Sequence, residues 1–207
     1  MSQVSGSGEP RWAPRFFLIW GGQALSLLGS SLVQFALVWW MTRETGSATV
    51  LATATLVALL PQIVLGPFIG PLVDRLDRRR IMIVSDSAIA LVTGVLMLLF
   101  ALGRAELWHV FAILAVRSLG GAFHGPAMAA STSLLVPEEH LARVGGLNQT
   151  LHGVMNIVSP PLGALLVMVL PTHGVLAIDL ATAALAVAPL LFVSIPPPPR
   201  KAAAPGS

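Results

Sequence analysis

The sequence contains no cysteine, and its five histidines lack the paired spacing of a zinc motif. Disulfides and thiolate metal sites are excluded, and neither a metal nor another cofactor is expected. Charge is the second scarcity. Asp, Glu, Lys and Arg make up only 10% of the residues, against roughly a quarter in soluble domains. Hydrophobic residues reach 55% and the mean hydropathy is +0.82, the composition of an integral membrane protein. A net charge of +3 and a pI of about 11.0 would suit a nucleic-acid binder. The basic residues, however, lie in loops beside apolar runs and form no soluble basic face, so no nucleic-acid partner is expected. Paired carboxylates on one helix, an HExxH pattern and a nucleophile beside a base are also missing, and with them the usual marks of an enzyme.

What the sequence has is long apolar runs. A bilayer-spanning helix needs about 20 mostly apolar residues. Six stretches qualify, predicted at 16–42, 49–73, 81–103, 107–135, 144–170 and 175–195. The first is too long for a signal-peptide core of roughly 7–15 residues and has no small-residue cleavage site behind it, so it reads as a retained helix. The expected fold is an all-α membrane protein with a six-helix bundle over 16–195. Residues 1–15, rich in Ser, Gly and Pro, read as a disordered lead, and 196–207, PPPPRKAAAPGS, as a flexible linker or tail. Arg11, Arg15, Arg75, Arg78, Arg79, Arg80, Arg143, Arg200 and Lys201 fall on one side of these spans, and Arg43 and Arg104 on the other. That bias predicts a multi-pass protein of the cell membrane with both termini cytoplasmic.

The most charged stretch is 70–82, GPLVDRLDRRRIM, between the second and third spans. Gly66 and Gly70 have GxxxG spacing, which predicts close helix packing, and Pro61, Pro67 and Pro71 predict a bent second helix. Inside the spans, three polar stripes stand out. Gly22, Ser26, Ser30 and Gln34 recur on the first helix with Gln23 beside them; Gly22 and Ser26 suit helix packing, while Gln34 suits packing or a wet pathway equally. Arg117, Gly121, His124, Met128 and Ser131 share one side of the fourth helix. An Arg at mid-span is costly unless it faces a partner or a wet cavity, which marks Arg117 as a functional candidate; the alternative, a side chain snorkelling to the interface, is strained from mid-span. His124, alone beside Gly125-Pro126, reads as a hydrogen-bonded packing residue on that stripe more than as a proton carrier. Asn148, His152, Asn156 and Ser159 form the stripe of the fifth helix. The sixth has a single acid, Asp179, which could pair or trade protons with Arg117 across a shared cavity. Asp86 is expected to be structural, tied to the nearby Arg loop.

GPFIGPLVDRLDRRRIMI, VRSLGGAFHGPAMAA, LLVPEEHL, IVSPPLGALL and AIDLATAALA, in this order, resemble the first six helices of macrolide-efflux and related drug exporters of the major facilitator superfamily. The resemblance implies one half of a major facilitator fold, built of two inverted three-helix repeats. It also implies that Gly70, Asp74, Arg75, Asp77, Arg78 and Arg79 form the loop that braces the inward gate, with Asp77 where many members have Gly. Arg117 with Gly121 resembles the motif associated with proton coupling, although Gly120 replaces its usual Gln, and Asp179 is its candidate partner. Gln34, His124, Asn148, His152 and Asn156 are candidate pathway-lining residues. Ser159, Pro160 and Gly163 resemble the antiporter motif, with Ser159 in place of Gly. Proton-coupled efflux of small amphipathic compounds by alternating access is the implied activity. Its partners would be the lipid bilayer, an amphipathic substrate, protons and a second six-helix half, from the same longer chain or a homodimer. A six-helix protein that does not transport is the alternative.

Overall fold

The computed structural model describes residues 12–192. Six long helices follow one another: α1 (Trp12–Thr45), α2 (Ala48–Arg75), α3 (Arg78–Ala101), α4 (Leu107–Leu135), α5 (Glu138–Val169) and α6 (Thr172–Phe192). All six are long and apolar enough to cross a membrane, and the described residues contain no strand. The fold class expected from the sequence is thus the one observed. Trp12–Arg15, expected in the lead, already belong to α1; the rest of the lead and the 196–207 tail lie outside the described residues.

Short polar signals set the helix ends. Gly46, at φ 58°, turns the chain after α1, and the Ser47 side chain accepts from the Val50 N–H at 3.4 Å to open α2. Asp77 does the same for α3, accepting from the Arg80 N–H at 3.2 Å. This cap starts α3 at Arg78, ahead of the predicted 81. α5 likewise starts at Glu138 instead of 144, because Glu138 and Glu139 after Pro137 place two acids at the positive end of the helix dipole. α2 remains one helix through its three prolines.

The packing pattern shows how the bundle is built. α1 packs chiefly on α6 and α5, α4 on α3 and α2, and α3 on α6. Exchanging α1–α3 for α4–α6 turns the α1–α6 contact into α4–α3 and the α1–α5 contact into α4–α2, leaving α3–α6 unchanged. Because each set has an odd number of spans, the second set enters the bundle from the opposite end. This is the relation between inverted three-helix repeats.

The core is layered along the bundle. One apolar cluster, including Val33, Leu37, Leu96, Leu114 and Leu176, fills the end away from the Arg loop. Another, including Ile19, Ile69, Met82, Ala127 and Leu190, fills the end near it. Between them lie the buried polar residues Gln23, Asp86, Thr93, Ser118, Asp179 and Thr182.

α1 and α6 approach closely at Gly29. A Cβ there would run into the Thr182 hydroxyl and come within 3.1 Å of Asp179 Cα and Oδ1. Gly21, by contrast, has nothing within 4 Å of a Cβ position. Gly29→Ala is therefore expected to destabilise the purified chain by roughly 1–3 kcal/mol through overpacking. Gly21→Ala should leave its thermal unfolding in detergent unchanged or slightly raised; equal behaviour of the two variants would contradict this packing.

Candidate functional site

Arg117 lies ten residues into α4, about 15 Å from its start and so near mid-bilayer depth. Its Nη1 donates to Asp179 Oδ2 at 2.7 Å and to the Thr93 hydroxyl, while Ser30 Oγ donates to Asp179 Oδ1 at 3.1 Å. The charged side chains are only 11% and 3% exposed. Four helices thus meet at one ion pair. Each charge removes the need for the other to be hydrated, and the two hydroxyls occupy further hydrogen-bonding positions.

Arg117 lines a cavity of about 500 Å³ between α1, α2, α3 and α4, and Asp179 is buried behind it. Ser26, Ser30 and Gln34 enter from α1, Thr55 and Gln62 from α2, and Arg117, Gly121 and His124 from α4. Two smaller cavities adjoin it along α5. One is lined by Gln23, His124, Asn148 and His152, the other by Ser30, Gln34, Asn156, Ser159 and Pro160.

The three expected stripes divide among these spaces. On α1, Gly22 packs against the α6 backbone, with Leu185 O 3.1 Å from its Cβ position, while Ser26, Ser30 and Gln34 face the cavities. On α4, Arg117, Gly121 and His124 line the large cavity, but Ser131 turns away, donating to Ala127 O at 2.7 Å. On α5, Asn148 Oδ1 accepts from the Trp20 indole at 2.7 Å, fastening α5 to α1. His152 and Asn156 are exposed, Ser159 is buried, and Gly163 lies where a Cβ would come within 2.7 Å of the Phe35 ring.

Two expectations fail. Asp86 is not tied to the Arg loop: its Oδ2 accepts from Gln23 Nε2 at 3.1 Å and its Oδ1 lies 3.3 Å from His124 Nε2. Asp86 is two helical turns into α3, so its side chain turns into the bundle instead of back to the loop. Nor do Gly66 and Gly70 meet another helix, since nothing lies within 4 Å of either Cβ position. Gln62, Thr55 and Thr93 were not singled out in the sequence; Gln62 and Thr93 are isolated polar residues in apolar runs, and Thr55 is one of three Thr in the first two turns of α2.

In the Arg loop, Arg79 Nη2 donates to Leu191 O at 2.8 Å and its Nε to Leu190 O, holding the last turn of α6. Arg78 is buried and reaches Asp74 at 3.7 Å; Asp74, Arg75 and Asp77 are exposed.

A buried ion pair at mid-bilayer depth, with its Arg117 in the wall of a cavity, within a bundle of inverted repeats of membrane-spanning helices, defines the class: a multi-pass membrane protein. The chain belongs to the Major Facilitator Superfamily, whose profile matches residues 19–207. It is 44% identical over 185 residues to Macrolide efflux protein A of Streptococcus pyogenes, covering 89% of this chain and 46% of that protein. Macrolide efflux protein A of Enterococcus faecalis is also 44% identical, over 151 residues, with 73% and 46% covered. The uncharacterized MFS-type transporter YfiS of Bacillus subtilis is 31% identical over 134 residues, 65% of this chain and 31% of that protein. The chain spans about half the length of the macrolide efflux proteins it matches.

Removing one member of a buried ion pair strands the other charge. Arg117→Gln alone is expected to cost about 3–5 kcal/mol, and the double variant with Asp179→Asn less than the sum of the two single variants. Reversible denaturation of the purified chain would measure this, and strict additivity would contradict the pairing. Arg79→Gln should lower hydrogen-exchange protection in the last turn of α6 by about fivefold to tenfold, leaving the first turn of α6 unchanged.

Proposed function

We propose that this chain acts as the amino-terminal half of a proton-coupled exporter of small amphipathic compounds, of the macrolide type named in its relatives. The observation that carries the reading is the Arg117–Asp179 pair, 2.7 Å apart, with Arg117 in the wall of the cavity and Asp179 buried behind it. Protonation of Asp179 removes the charge that Arg117 faces and frees the guanidinium to turn toward the cavity or Thr93. Such a change in pairing, biased by the proton gradient, is a means of linking proton movement to rocking of one half against the other. Gln34, Asn148, His152 and Asn156 offer polar contacts along the pathway, and the apolar lining suits the rest of an amphipathic solute. Ser159, Pro160 and Gly163 shape the α1–α5 contact beside it. Gly70, Asp74, Arg75, Asp77, Arg78 and Arg79 would brace the inward gate. The protein would sit in the cell membrane with both termini cytoplasmic.

The complementary half would come from the same longer chain or from a second copy. A homodimer can be tested cleanly because the sequence has no cysteine. Asn156→Cys, exposed on the α5 stripe, should crosslink to itself in membranes if two copies face one another. In the complete transporter, Arg117→Ala is expected to reduce gradient-driven drug efflux by about tenfold or more at equal protein level. Unchanged accumulation and unchanged dependence on the proton gradient would exclude the role given to Arg117.

A further inference from the structure

A second polar layer lies one step along the bundle from the ion pair. Ser30 has Gln23 seven residues before it on α1, Thr93 has Asp86 seven before it on α3, and Arg117 has His124 seven after it on α4. Seven residues are two helical turns, about 10 Å. Because α4 runs opposite to α1 and α3, all three shifts point toward the Arg loop. They assemble Gln23, Asp86 and His124 as the upper layer assembles Ser30, Thr93 and Arg117. Gln23 Nε2 donates to Asp86 Oδ2 at 3.1 Å, and His124 Nε2, buried without a hydrogen-bond partner, lies 3.3 Å from Asp86 Oδ1.

We propose that the Asp86–His124 pair is a second proton-binding site. Asp86, 8% exposed at its side chain, is a buried carboxylate with one neutral donor and an imidazole as its only groups within reach among the described residues. The imidazole lines both the large cavity, which it shares with Arg117, and the smaller one, which it shares with His152. An acceptor oxygen near Nε2 favours the neutral tautomer that carries its hydrogen there. Water in the cavity then supplies a proton to Nδ1, giving an imidazolium whose charge Asp86 balances; release returns that proton to water and restores the neutral ring.

The groups facing this site are few. α1 contributes Gln23, α2 Gln62 across the cavity and α3 Asp86. Arg117 stands two turns away on α4 itself, α5 brings His152 and Asn148, and Asp179 of α6 is screened behind Arg117. Use of the site in coupling rests on the transport reading above, whereas its capacity to bind a proton does not.

The test is therefore made on the protein alone. The 207-residue chain is placed in lipid nanodiscs with His109, His140, His152 and His173 replaced by Gln; none of the four is buried, and His124 is left as the sole imidazole. Its ring nitrogen-15 signals are followed by nuclear magnetic resonance from about pH 5 to pH 9. The expected result is a single reversible titration, whose midpoint Asp86→Asn displaces by at least about half a pH unit and Asp179→Asn displaces by less. An imidazole that keeps one protonation state across this range overturns the proposal even if no further variant folds. A midpoint indifferent to Asp86→Asn overturns the pairing. Loss of efflux in Arg117→Ala transporters bears only on the transport reading and leaves this result standing.

Discussion

The pairing of Arg117 with Asp179 constrains everything around it. An unpaired charge at that depth costs several kcal/mol, so the two side chains must meet wherever the backbone allows it. Meeting requires α4 and α6 to present them at one level, α3 to bring Thr93 and α1 to bring Ser30. Gly29 then becomes necessary, because a side chain at that position would occupy the space of Thr182 and Asp179. A single electrostatic demand thereby fixes the rotation of four helices about their axes, which apolar packing within lipid specifies only weakly.

The layered core follows from the same demand. Apolar clusters close the bundle at both ends, and the polar residues are confined to the middle, where they face one another or a cavity. Helix-capping residues and the Arg loop then hold the ends. Arg79 ties the start of α3 to the last turn of α6, the negative end of that helix dipole, so the most charged stretch of the chain is also a clamp between the two repeats.

Much of the fold was legible because six apolar runs of membrane-spanning length leave few alternatives, and the Arg117–Asp179 pair because a lone mid-span cation needs an anion. What escaped was three-dimensional. Asp86 was assigned by sequence distance to the Arg loop, eight or fewer residues from Arg78, Arg79 and Arg80, yet two turns of helix carry it to Gln23 and His124. The seven-residue offsets on α1, α3 and α4 are visible in the sequence, but only a known arrangement of the helices turns them into a layer. Thr93 and Gln62 gave no signal at all, since a Thr or Gln within an apolar run is ordinary until its neighbours are known. Gly66 and Gly70 erred the other way: the spacing permits a close helix contact without creating one.

His152 and Asn156 press the argument one step further. Both are exposed on α5, a helix that buries only Val144, Ser159 and Gly163 and presents Ile157, Leu165 and Met168 to its surroundings as well. Apolar side chains such as Met168, 81% exposed, are at home in acyl chains. An imidazole and an amide are not, for each loses hydrogen bonds to water with nothing in hydrocarbon to replace them. The polar stripe must therefore look onto water or onto another polar surface, while the apolar residues of the same helix look onto lipid or packed protein. The cavities beside α1 and α5 lie on that polar side, one walled in part by Asn156 and the other by His152. The two-half arrangement proposed above would meet both requirements at once: a second bundle would cover the stripe, and the space left between the halves would keep it wet.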